Sequence, residues 1–107
     1  MLYKFKSKAA GDVIMMGPSG DQVLHIIGKS PAATGIIEPA AMPAAIAAIE
    51  RAVAEDEAAR RQAEAEAEAQ GEKLAPRDAV TLRQRAWPLV EMMKRSHAEG
   101  KEVVWGV

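Results

Sequence analysis

Hydrophobic and polar residues alternate at the start of the chain. In Leu2-Tyr3-Lys4-Phe5-Lys6-Ser7, Tyr3 and Phe5 fall on one side and Lys4 and Lys6 on the other. A period of two with aromatic residues predicts a strand with one buried and one wetted face. The stretch Val103-Val104-Trp105-Gly106-Val107 is β-branched and aromatic, which predicts a second, more fully buried strand. Terminal strands are ordered when a sheet ties them down, so these two are expected to pair or to share one small sheet.

Between them the spacing turns helical. Gly11-Asp12 is a turn and cap signal ahead of Val13-Ile14-Met15-Met16. Four consecutive apolar residues fit either a short helix capped by Asp12 or a strand. The helix is the preferred reading, because no tight-hairpin turn chemistry follows. Pro18 suits a first helical position, Val23, Leu24 and Ile27 keep helical spacing, and Gly28 is a stop. Lys29 to Gly35 reads as a loop. Pro39 opens the next helix, with Met42, Ile46, Ile49 and Val53 in one stripe. Beyond Val53 the stripe stops. Glu55 to Lys73 is built from Ala, Glu, Asp, Arg, Gln, Gly and Lys and predicts a solvated helix or a linker, ended at Gly71. Asp56–Arg60 and Glu57–Arg61 have the spacing and orientation of stabilising helical pairs. Pro76 to Asp78 is expected to begin the last helix, whose stripe is Leu82, Ala86, Leu89 and Met93 with Trp87 and Val90 flanking. Pro88 inside it is expected to kink or divide it, and Gly100 to stop it. The expected fold is a small α+β domain over residues 1–107. About three helices pack on a short sheet formed by the N- and C-terminal strands.

Composition narrows the function classes. A chain of 107 residues is one domain by size. With 14 Lys and Arg against 15 Asp and Glu, its net charge of −1 gives no whole-protein argument for nucleic acid or an anionic membrane. The absence of Cys removes disulfides and thiol chemistry. No apolar run approaches the roughly twenty residues of a membrane span or the 7–15 of a secretory core. A cytoplasmic protein with no membrane partner is expected.

Two strands alone make a marginal sheet with exposed backbone edges. A two-fold dimer that joins two small sheets edge to edge is one solution. On that argument the interface candidates are Trp105, Val103, Tyr3 and Phe5, with Trp87 assigned to the core.

Candidate chemistry is thin. His25 and His97 lack a second ligand at metal-binding spacing and read as one partly buried and one helix-end histidine, so no metal is expected. The acids cluster among alanines with no apolar pocket to raise a pKa; Glu38 reads as a helix cap, and Glu91 lies beside the last stripe. No GxSxG accompanies the few serines, so no catalytic residue and no cofactor are assigned. Gly17-Pro18-Ser19-Gly20 lacks the P-loop ending, yet a loop leading into a helix makes Gly17, Ser19 and Gly20 candidates for binding an anion. Lys4, Lys6 and Lys8, with Arg83, Arg85 and Arg95 of the last helix, are the nucleic-acid candidates. Against them, the alternation puts the lysines and the aromatic rings on opposite faces.

Several segments carry a family likeness. They are Leu2 to Val13, Ile26-Ile27-Gly28-Lys29, Glu38 with Met42-Pro43-Ala44-Ala45, Arg85-Ala86-Trp87-Pro88-Leu89 and Val103 to Val107. Together the chain resembles a family of short bacterial proteins known as a domain of unknown function, label 1840. The resemblance spans nearly the whole chain except the Ala/Glu stretch. It implies a proteobacterial, cytoplasmic protein and transfers no site residue. The functional expectation is a non-enzymatic, homo-oligomeric interaction module, most simply a homodimer. The alternatives are a nucleic-acid binder and a small anionic-ligand binder.

Overall fold

The computed structural model describes residues 2–72 and 81–106. It begins with a hairpin of β1 (Leu2–Ser7) and β2 (Ala10–Met16). Tyr3 and Phe5 are buried and Lys4 is exposed, as the alternation requires. Val13 to Met16 is therefore strand, and the expected short helix does not form. The turn at Lys8-Ala9 manages without glycine, and neither residue has a positive φ. Instead the Ala9 N–H donates to Ser7 Oγ at 3.2 Å, and the register shifts between Phe5 and Ser7. Such a shift adds the local twist that a tight hairpin needs. Asp12 caps nothing; its carboxylate lies 3.6 Å from Lys4 Nζ on the neighbouring strand.

Helix α1 (Gly17–Ile26) follows β2 directly, with Pro18 in its first turn. The predicted loop then gives way to a strand the sequence did not announce, β3 (Gly35–Ile37). A 3-10 turn at Pro39–Ala41 leads into α2 (Met42–Ala69), 28 residues long. The Ala/Glu segment thus continues the helix as far as Ala69. Helix α3 (Leu82–Ala98) precedes β4 (Val103–Trp105). The expected start at Pro76 to Asp78 lies outside the described residues. At Leu82 the helix is fixed by a reciprocal cap: Gln84 N–H donates to Thr81 Oγ1 at 3.2 Å, and Thr81 N–H to Gln84 Oε1 at 3.1 Å. Pro88 is exposed and α3 is assigned without a break, so the expected division does not occur.

All three helices stop in the same way. Gly28, Gly71 and Gly100 adopt positive φ, where a side chain would be strained. Around them Lys29, Glu72 and Lys101 N–H reach back to Leu24, Ala67 and Ser96 carbonyls at 2.8, 2.7 and 2.8 Å. These paired bonds satisfy carbonyls that a helix end leaves bare.

The sheet order is β2-β1-β4-β3, antiparallel throughout. The two terminal strands do pair, with Phe5 opposite Trp105 and Lys6 opposite Val104. They are the central strands, however, and β2 and β3 cover the edges that the sequence argument left open.

The helices pack on one face. Phe5, Val103, Trp105, Met15 and Ile37 meet Leu24, Met42, Ile49, Leu89 and Met93 in one core. Each such side chain contributes roughly 1.5–3 kcal/mol by leaving water. The α2 stripe is seen in Met42, Ile49 and Val53, with Ile46 partly buried. Tyr3, Phe5 and Trp105 form a row with ring centroids 6.0 and 5.8 Å apart. Two glycines make room for it: a Cβ at Gly20 would overlap the Tyr3 ring, and one at Gly35 would overlap the Trp105 indole. The indole Nε1 donates to the Ala32 carbonyl at 3.0 Å, which ties the α1–β3 loop to the core. Buried Ser96 shares a 2.7 Å hydrogen bond with Ser7, joining α3 to the end of β1. The principal extents are 51 × 27 × 23 Å. The long dimension reflects α2, about 42 Å at 1.5 Å per residue.

Candidate functional site

A sheet covered on one face leaves the other face to explain. Residues that alternate with the core positions point away from the helices. In β1 and β2 these are Leu2, Lys4, Asp12, Ile14 and Met16, with Leu2 opposite Met16 and Lys4 opposite Ile14. Leu2, Ile14 and Met16 are 60, 61 and 66% exposed. Ile36, opposite Val104 near the other edge, is 40% exposed. The face therefore carries an apolar cluster on its β2 side, interrupted by the Lys4–Asp12 ion pair.

The edge beside that cluster is long. Strand β2 has seven residues and contains no proline, whereas β3 has three. On the helix side of the same edge runs a shallow groove lined by Gly11 and Val13 of β2 and by Pro88, Glu91, Met92 and Arg95 of α3. A Cβ built at Gly11 meets nothing within 4 Å, so the groove floor is open there.

The residues expected at an interface lie elsewhere. Tyr3, Phe5, Val103 and Trp105 are all buried in the core, and Trp87 is the exposed tryptophan at 37%. The two tryptophans thus exchange their expected places. Trp105 shares a strand face with Val103 and meets Phe5, which commits it inward. Trp87 is one residue past buried Ala86, about 100° further round the helix, which turns it outward. There its ring lies between Arg83 and Lys94, whose cationic groups are 5.7 and 5.1 Å from its centroid.

The basic candidates are not gathered into one surface. Lys4 and Lys6 lie on β1 among the apolar residues of the open face, and Lys8 is in the hairpin turn. Arg83 reaches across to α2 and donates to Glu57 Oε1 at 2.7 Å. That hydrogen bond and the guanidinium charge hold the Glu57 carboxyl below the usual carboxylate range and raise Arg83 in turn. Arg85 is partly buried, and Arg95 borders the groove.

Gly17, Ser19 and Gly20 belong to the first turn of α1 and form no loop. Gly17 and Gly20 are buried, and the small size of Gly20 serves the Tyr3 ring. The Tyr3 hydroxyl donates to the Asp21 carboxylate there. This bond, with burial and the nearby negative charge, holds the Tyr3 pKa above its ordinary value. A carboxylate one turn into the helix opposes an anion at that end.

His25 and His97 are both exposed in the last turns of their helices, so the partly buried histidine expected from the sequence is absent. Glu38 precedes the 3-10 turn without making a side-chain cap. Among the described residues no group of three or more His, Cys, Asp or Glu could hold a metal ion, and no helix is long and apolar enough to cross a membrane.

The open face was hidden in the sequence because Val13 to Met16 fits helix and strand alike, and the helix was the preferred of the two. Read as a strand, the same residues put Asp12, Ile14 and Met16 on one face and Val13 and Met15 on the other, which is the signal that reveals it.

No curated protein matches the chain. No solved structure matches it either. A family profile does, over residues 1–105, and on that match the chain belongs to the family described as Domain of unknown function (DUF1840).

Proposed function

We propose that the protein is a homo-oligomeric interaction module without catalytic activity, working in the bacterial cytoplasm, in which two copies meet along β2. The observation that carries this reading is the apolar cluster of Leu2, Ile14 and Met16, each at least 60% exposed, beside the outer edge of β2, which pairs with no strand among the described residues. Long edges without proline or lysine are templates for further strand pairing, and beyond the register shift at Gly11-Asp12 the edge runs regularly from Val13 to Met16. Within β2 the only charged side chain is Asp12, and it is paired with Lys4. A second copy supplies the same edge in antiparallel orientation under a two-fold axis. That pairing satisfies both edges and sets the two apolar clusters side by side. The flanking helices add the rest of the roughly 800 Å² per partner that a stable interface buries.

Sedimentation velocity tests the reading. The wild-type chain should sediment as a dimer at micromolar concentration. Ile14→Lys should shift it to monomer while its thermal midpoint in the monomeric state stays near that of the wild type, because Ile14 lies outside the core. A wild-type chain that stays monomeric at high micromolar concentration rejects the proposal. Substituting Trp105 is no test of assembly, since that residue holds the core together.

A further inference from the structure

The groove on the helix side of β2 carries two opposite charges on one helix. Glu91 and Arg95 are both exposed, one turn apart on α3, and both line the groove. Among the described residues neither makes an ion pair within the chain. A two-fold axis that runs the β2 edges antiparallel runs the two α3 helices antiparallel as well. The residue order is then reversed between copies, and with the axis level with Met93, Glu91 of one copy faces Arg95 of the other, twice. One short charge pattern is thereby complementary to itself.

We infer that the dimer seam is two-layered: β2 pairs with β2 below, and α3 lies against α3 above, locked by two reciprocal Glu91–Arg95 ion pairs between copies. This rests on the homo-oligomer reading and adds its symmetry and its helix-side contacts. The bare backbone at Gly11 leaves the space into which the long side chains of the second copy reach. Pro88 and Met92 supply an apolar flank for the Arg95 stem of the second copy. Such charges fix orientation and reject wrong registers, since like charges set face to face are strongly unfavourable.

The test is a charge exchange on the full chain, read by sedimentation equilibrium. Glu91→Arg and Arg95→Glu each place like charges across the axis, and each should weaken dimerisation by about tenfold or more. The double variant restores opposite charges and should recover dimerisation to within about threefold of wild type. Circular dichroism checks that each variant keeps its helix content. A wild-type dimer whose affinity neither single exchange changes overturns the seam and leaves the homo-oligomer reading standing. So does a double variant as weak as the singles. A wild-type monomer overturns both. An added peptide that binds in place of a second copy, with the charge exchanges altering its affinity alone, also overturns the self-pairing.

Discussion

Tyr3 is the only tyrosine in the chain, and its hydroxyl is given to Asp21 on α1. Its pKa is raised in the folded protein, so folding favours the protonated phenol. The sign follows from linkage: this contribution is fully present below the ordinary tyrosine value near 10 and is lost as pH rises through the higher folded value. Tyr3→Phe should therefore flatten the alkaline fall in stability, measured by urea unfolding across that range against wild type. An identical alkaline fall in the variant would refute the coupling. Tyr3 was legible as an inward residue from the alternation of β1. Its partner was not, because Asp21 lies on another element and the short Gly20 backbone that admits the ring gives no periodic signal. Trp87 and Trp105 show the same limit. Hydrophobic size says that a side chain prefers burial, and a rotation of one residue along the helix decides which tryptophan obtains it.

At the level of elements, the helices and the strands β1 and β4 were readable, β2 was open between helix and strand, and β3 was not foreseen. Apolar spacing found the α1 and α2 stripes, and Gly28, Gly71 and Gly100 marked all three ends. The strand reading of Val13 to Met16 ranked second to the helix because the β1–β2 turn relies on Ser7 Oγ in place of a glycine. Strand β3 was missed because Gly35-Ile36-Ile37 follows a Ser, Pro, Thr and Gly loop and has no aromatic residue to mark it; Trp105 and Val103 on β4 organise it from a distance. Pro88 is the one local conflict with helix in α3. It cannot donate to the Gln84 carbonyl, and interior proline is costly in a helix. Pro88→Ala should stabilise the chain by about 1–3 kcal/mol, seen as a higher thermal midpoint, since the ring is exposed and fills no core space. A lower midpoint would mean that Pro88 has a packing role the helix argument lacks.

For the whole molecule, the sheet depends on β4. It lies between β1 and β3 and, among the described residues, is the only strand to which β3 bonds. Removing Val103 to Trp105 strips two buried side chains from the core and leaves β3 without a partner. The loss exceeds about 5 kcal/mol, the lower range of small-domain stability, so the shortened chain should not fold. Loss of the sharp near-ultraviolet dichroism of Trp105 is no measure here, so chain compactness by small-angle scattering is the readout; a radius of gyration near 15.9 Å in the shortened chain would contradict the dependence. The central pairing of Phe5 with Trp105 also sets an order of events during synthesis. Until the ribosome has delivered β4, the β1–β2 hairpin has neither its neighbour nor a closed core, and its apolar faces lie open on both sides. The newly made chain is then at its most adhesive, and the arrival of β4 is what ends this exposure.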